Sequence, residues 1–166
     1  GLPPSHSLYF QRGKAVGVSP DGSTMVLVGE ATDGSGARQL FRRNLTDLES
    51  VPIPGTEGAY SFDFSPGEGT QIVFLSKTVF YRQSTLKIVD LQDDDLDVLD
   101  DSPFEPRDIS WDDGGIVFGS KFGVVYRIDP DTGGPPVAIT ELGPDEASHL
   151  SPQLIQNGTA ILYTAH

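Results

Sequence analysis

A chain of 166 residues can bury one ordinary core, and 19 Gly and 13 Pro beside 37% apolar residues suit many short strands and turns rather than long helices. Eleven Lys plus Arg against 24 Asp plus Glu give a net charge of −13, which argues against nucleic acid or anionic lipid as partners and leaves proteins, basic peptides or cationic ligands. The absence of cysteine excludes disulfides and thiolate metal sites, and no apolar run approaches the roughly 18 residues of a membrane-spanning helix.

Taken in order, residues 1–12 read as an extended segment in which Leu8 and Phe10, two apart, would share one face. Residues 13–58 follow as four short strands: 13–18, Met25–Gly29, Gln39–Asn44 and Glu49–Ile53. The same order returns in 59–104 (Ser61–Phe64, Gln71–Ser76, Leu86–Asp90, Leu96–Leu99) and in 105–148 (Asp108–Trp111, Ile116–Ser120, Val124–Asp129, Pro136–Thr140). Residues 149–166 supply only the first two, Gln153–Ile155 and Ala160–Thr164.

One turn recurs between the first and second strand of each set. It reads Ser19-Pro20-Asp21-Gly22, then Ser65-Pro66-Gly67-Glu68-Gly69, Trp111-Asp112-Asp113-Gly114 and Ile155-Gln156-Asn157-Gly158, at spacings of 46, 46 and 44 residues. A strand-and-turn period of that length predicts an all-β propeller, here partial, with about three and a half four-stranded antiparallel blades. The second strands (Met25-Val26-Leu27, Ile72-Val73-Phe74, Ile116-Val117-Phe118, Ile161-Leu162-Tyr163) are apolar on both faces, as a strand sandwiched between neighbouring blades must be.

A strand, Ser-Pro-Asp-Gly, an apolar strand and a third strand closing on Asp resembles the WD40-like (PD40) repeats of bacterial TolB-type propellers. It also resembles propeller segments fused to Ser/Thr kinases. Pro54-Gly55-Thr56-Glu57-Gly58-Ala59, Gly133-Gly134-Pro135-Pro136 and Leu150-Ser151-Pro152-Gln153-Leu154 carry the likeness. The resemblance implies a ring of six or more blades, a periplasmic or extracytoplasmic setting, and a non-catalytic binding module in a larger protein. Its alternative is an accessory propeller of an enzyme, a prolyl-oligopeptidase-like peptidase or a receptor-type kinase. An incomplete ring exposes inter-blade faces and strand edges. The chain is therefore expected to be a piece of a longer protein, a homodimer that covers its open ends, or both.

The residues point to no catalytic, metal or cofactor site. There is no Gly-x-Ser-x-Gly elbow and no phosphate loop, and His6, His149 and His166 lack metal-ligand spacing. The acidic run Asp93-Asp94-Asp95 with Asp97, Asp100 and Asp101 reads as a solvated hairpin, since hard cations need converging carboxylates. Trp111, in place of the turn serine, is expected to pack between blades. The connections from each fourth strand to the next first strand share one rim, and Lys14, Glu105, Arg107 and His149 are the candidate ligand residues there.

Overall fold

The computed structural model describes residues 1–166 apart from 12, 78–83, 101–105, 122, 157 and the side chain of 100. Every element is a strand, and the strands form separate antiparallel sheets in chain order. The first holds β1 (His6–Leu8), β2 (Val16–Val18), β3 (Thr24–Ala31), β4 (Arg38–Asn44) and β5 (Val51–Pro52). The second is β6 (Ala59–Phe64), β7 (Gln71–Lys77), β8 (Ser84–Asp90) and β9 (Leu96–Asp100). The third is β10 (Pro106–Asp112), β11 (Gly115–Ser120), β12 (Val125–Asp129) and β13 (Gly133–Ala138), and β14 (His149–Ile155) pairs with β15 (Ala160–Ala165) alone. Three blades and a two-stranded fourth make an open, partial propeller.

The recurrent turn is held by its serine. Ser19 Oγ accepts from Thr24 N at 2.9 Å and donates to the Asp21 carboxylate, which also takes the Ser23 N–H at 3.0 Å. Gly22 sits at φ +75°, open to glycine but strained for other residues. Ser65 repeats the bond to Gln71 N at 3.1 Å across a loop one residue longer. In the third blade Asp112 faces Gly115 in a tighter hairpin, and Asp112 Oδ1 takes the Gly114 N–H at 2.6 Å.

These turns stack on their neighbours. A Cβ on Gly69 would lie 2.4 Å from Pro20 Cδ, and one on Gly158 would lie 2.4 Å from Gly114 Cα. Carboxylates tie the first strands together in the same direction. Asp63 on β6 accepts from Trp111 N at 3.1 Å and pairs with the Lys14 ammonium, while Asp108 on β10 accepts from Ser151 N and Oγ, both at 3.2 Å.

The core runs between the sheets, and the second strands fill it. Ile72, Val73, Phe74 and Leu75 are fully buried, as are Ile116, Val117 and Phe118. Each such side chain contributes about 1.5 to 3 kcal/mol. Trp111 packs into the same cluster, as expected. β15 departs from the pattern. Leu162 is 59% exposed and Tyr163 36%, although the sequence matches its buried counterparts.

The N-terminal segment behaves differently from the expectation. β1 pairs with β3 (Leu8 opposite Gly29), beside β2 and on the edge away from β4. It therefore extends the inner strand of the first blade. Tyr9 N still donates to the Val28 carbonyl of β3 at 2.9 Å and its ring is buried, whereas Phe10 is 75% exposed and does not share a buried face with Leu8. The first strands of the other blades are irregular near the same end, with register shifts at Ala59/Ser61, Pro106/Ile109 and Leu150/Gln153. Such bulges re-aim side chains out of the ladder.

Candidate functional site

The interrupted strand ends build a pocket. Tyr9 lies in the break between β1 and β2, Tyr60 in the bulge of β6, and Pro106 and Arg107 in that of β10. Arg38 begins β4, Lys77 ends β7 and Ser84 begins β8, so all of them reach the same rim. They enclose a cavity of about 300 Å³. Its floor is fixed by hydrogen bonds, for the buried Tyr60 hydroxyl donates to the Pro106 carbonyl at 2.7 Å and lies 3.1 Å from Ser84 Oγ. The Arg38 guanidinium stands over two rings, 4.8 Å from the centre of Tyr9 and 5.7 Å from that of Tyr60. Cation–π contacts of this kind hold the planar group while leaving its N–H edge available.

Of the four residues singled out from sequence, the three described, Lys14, Arg107 and His149, do not line one pocket. Arg107 lines this pocket. Lys14 instead directs its ammonium to Asp63. Glu105 lies outside the described residues, as do Asp101 of the acidic run and Asn157 of the last turn. His149 is fully buried, its Nδ1 2.8 Å from Thr140 Oγ1 and its Nε2 3.0 Å from Glu146 Oε2. Thr140 Oγ1 accepts from Val125 N at 2.9 Å, so its proton goes to Nδ1 and the Nε2–H faces the carboxylate, a tautomer assigned from the network. The Gly143 N–H and then His149 hold the Glu146 carboxyl below its ordinary value. A hydroxyl, an imidazole and a carboxylate in line suggest a catalytic relay, but the imidazole is sealed from solvent and both its nitrogens are engaged. This group clasps the loop before β14.

Arg38, Lys77, Tyr9 and Tyr60 escaped the sequence reading. The candidates read from sequence lie in the connections into first strands, whereas the links between second and third strands end on the same rim. The usable signal was Arg38 and Lys77 at two of those ends in a chain with few cations. The bulges that turn Tyr60 and Arg107 inward leave no such mark.

On the opposite rim, the turns Ser65–Gln71 and Trp111–Gly115 and the Asp129–Asp131 link border an open groove of about 830 Å³. It is the larger hollow, yet a shallow one between turns. The acidic hairpin is not wholly solvated either, since Asp94 meets Arg42 of the first blade at 3.0 Å. Among the described residues no cluster of His, Asp or Glu could hold a metal ion.

The architecture is that of a β-propeller. Solved structures with the same fold include a TolB from Agrobacterium tumefaciens, with TM-score 0.73 and 14% identity over 92% of this chain and 53% of that one. The tricorn protease matches with TM-score 0.66 and 16% identity over 97% of this chain and 15% of its own. TolB from Acinetobacter baumannii matches with TM-score 0.64 and 19% identity over 89% and 36%. At these identities the likeness is one of fold, and the chain spans about half the length of the first structure and less of the others. No family model and no curated protein matches the sequence.

Proposed function

We propose that this chain is a non-catalytic interaction module, a segment of a TolB-like propeller within a larger bacterial protein, which presents its bulged rim to a protein or peptide. The pocket spanning three blades carries this reading: its floor is a fixed hydrogen-bonded lattice and its walls are cationic and aromatic. Arg107 faces the partner; Lys14 and His149 brace the strands beneath, and Glu105 borders them in sequence. The blades divide at 13–58, 59–104, 105–148 and 149–166, after the segment 1–12. The TolB likeness favours a periplasmic or extracytoplasmic setting, with a kinase-linked sensor as one arrangement of the whole protein. The exposed β15 favours further blades or a second copy against the fourth sheet. A second reading, an accessory propeller of a peptidase, draws on the tricorn protease match.

Panning a random peptide library against the chain tests the first reading. Binders should be lost on Arg107→Glu and be recovered intact by mass spectrometry. Cleaved peptides, or binders indifferent to Arg107, would overturn it.

A further inference from the structure

Arg38, Lys77 and Arg107 are three of only 11 basic residues in a chain with 24 acidic ones, yet they line one cavity. Two other cations meet carboxylates: Lys14 pairs with Asp63 and Arg42 with Asp94. Among the described residues, none of the three rim cations makes an ion pair, and the Arg38 guanidinium stands against the rings of Tyr9 and Tyr60. Like charges held together without counter-charges among the described residues cost free energy unless an anion joins them.

We infer that the pocket is a carboxylate-binding site. The inference rests on the interaction-module reading and names what that rim recognises. The guanidinium plane suits a bidentate carboxylate, and Lys77 and Arg107 supply charge from the other walls. Tyr9 and Tyr60, both buried, hold the Arg38 guanidinium in place with their rings. A phosphate would find no helix N-terminus here, because every described element is a strand. A volume of about 300 Å³ admits one or two amino-acid residues or a small organic acid. The shared chemistry is an organic carboxylate, either at the C-terminus of an acidic peptide or on a free dicarboxylic acid.

Isothermal titration of the full chain tests this with an acetylated Gly-Gly-Glu peptide, its C-terminal amide, glutarate and inorganic phosphate. The expected result is binding of the free-acid peptide or of glutarate. Lys77→Gln and Arg107→Gln should each weaken it about tenfold, the worth of one charge-assisted hydrogen bond. Arg38→Lys should weaken it too, while Arg127→Gln on the opposite rim should leave it unchanged. Far-ultraviolet circular dichroism checks that each variant is folded. Preference for the free-acid peptide over its amide and glutarate assigns the ligand to a peptide terminus, and equal binding of glutarate to a free acid. No binding at 10 mM (about 3 kcal/mol), phosphate bound in preference, or affinity indifferent to all three rim variants would overturn the site. Hydrolysis of the bound peptide would sink the non-catalytic reading and leave the pocket standing.

Discussion

Replacing Asp63 with Ala tests how neighbouring blades are joined. The Asp63 carboxylate accepts from Trp111 N at 3.1 Å, and Trp111 is 9% exposed. Leaving that donor without a partner costs about 1 to 3 kcal/mol. The ion pair with Lys14 adds less, because 43% of the lysine side chain is exposed and exposed pairs are worth roughly 0 to 1 kcal/mol. The total is about 1 to 4 kcal/mol, or roughly 2 to 16 °C in the melting midpoint of a chain this long. Lys14→Met keeps the aliphatic stem and removes only the charge, so it should lose no more than about 1 kcal/mol. Thermal melts and urea titrations of both variants read the difference. Equal losses in the two, or none in Asp63→Ala, would refute the view that the carboxylate acts chiefly as an acceptor between blades.

Gly22→Val should destabilise by about 1 kcal/mol or more, since Gly22 holds φ +75° with open space around it, and an unchanged midpoint would remove the turn argument. Gly158→Ala meets both positive φ and the backbone of Gly114, so its midpoint should fall further than that of Gly22→Ala. Glu146 has a lowered carboxyl value in the folded chain, so its contribution to stability is fully present above about 4.5 and is lost as pH falls through the lower folded value. NMR shifts of His149 and of the Tyr163 ring 4.4 Å away should follow that transition, and Glu146→Gln should abolish it.

The periodic part of the fold was plain in the sequence. A turn whose serine must bond the first residue of the next strand imposes a local chemical constraint, and the apolar strands after it carry their burial in composition. What breaks the period was not legible. β1 joins the inner edge of the first blade because Leu8 lies opposite Gly29, a long-range pairing that no local pattern announces. His149 resembled a rim ligand because the partners that bury it, Thr140 and Glu146, precede it in an irregular loop. The pocket escaped for the same reason: Tyr9, Arg38, Tyr60 and Arg107 meet only after bulges in β6 and β10 and the break between β1 and β2, which depend on tertiary packing.

The central claim is that the chain is an open propeller whose fourth sheet lacks cover in isolation. Light scattering coupled to size exclusion, from micromolar concentration upward, tests it most directly when hydrogen exchange is followed in the same samples. The expected result is a mass rising above 17.8 kDa with concentration, with slow exchange in β3, β7 and β11 and protection of β15 only on association. Leu162→Lys should hold the chain monomeric. A monomer at every concentration with Ala160–Ala165 already protected would contradict the account.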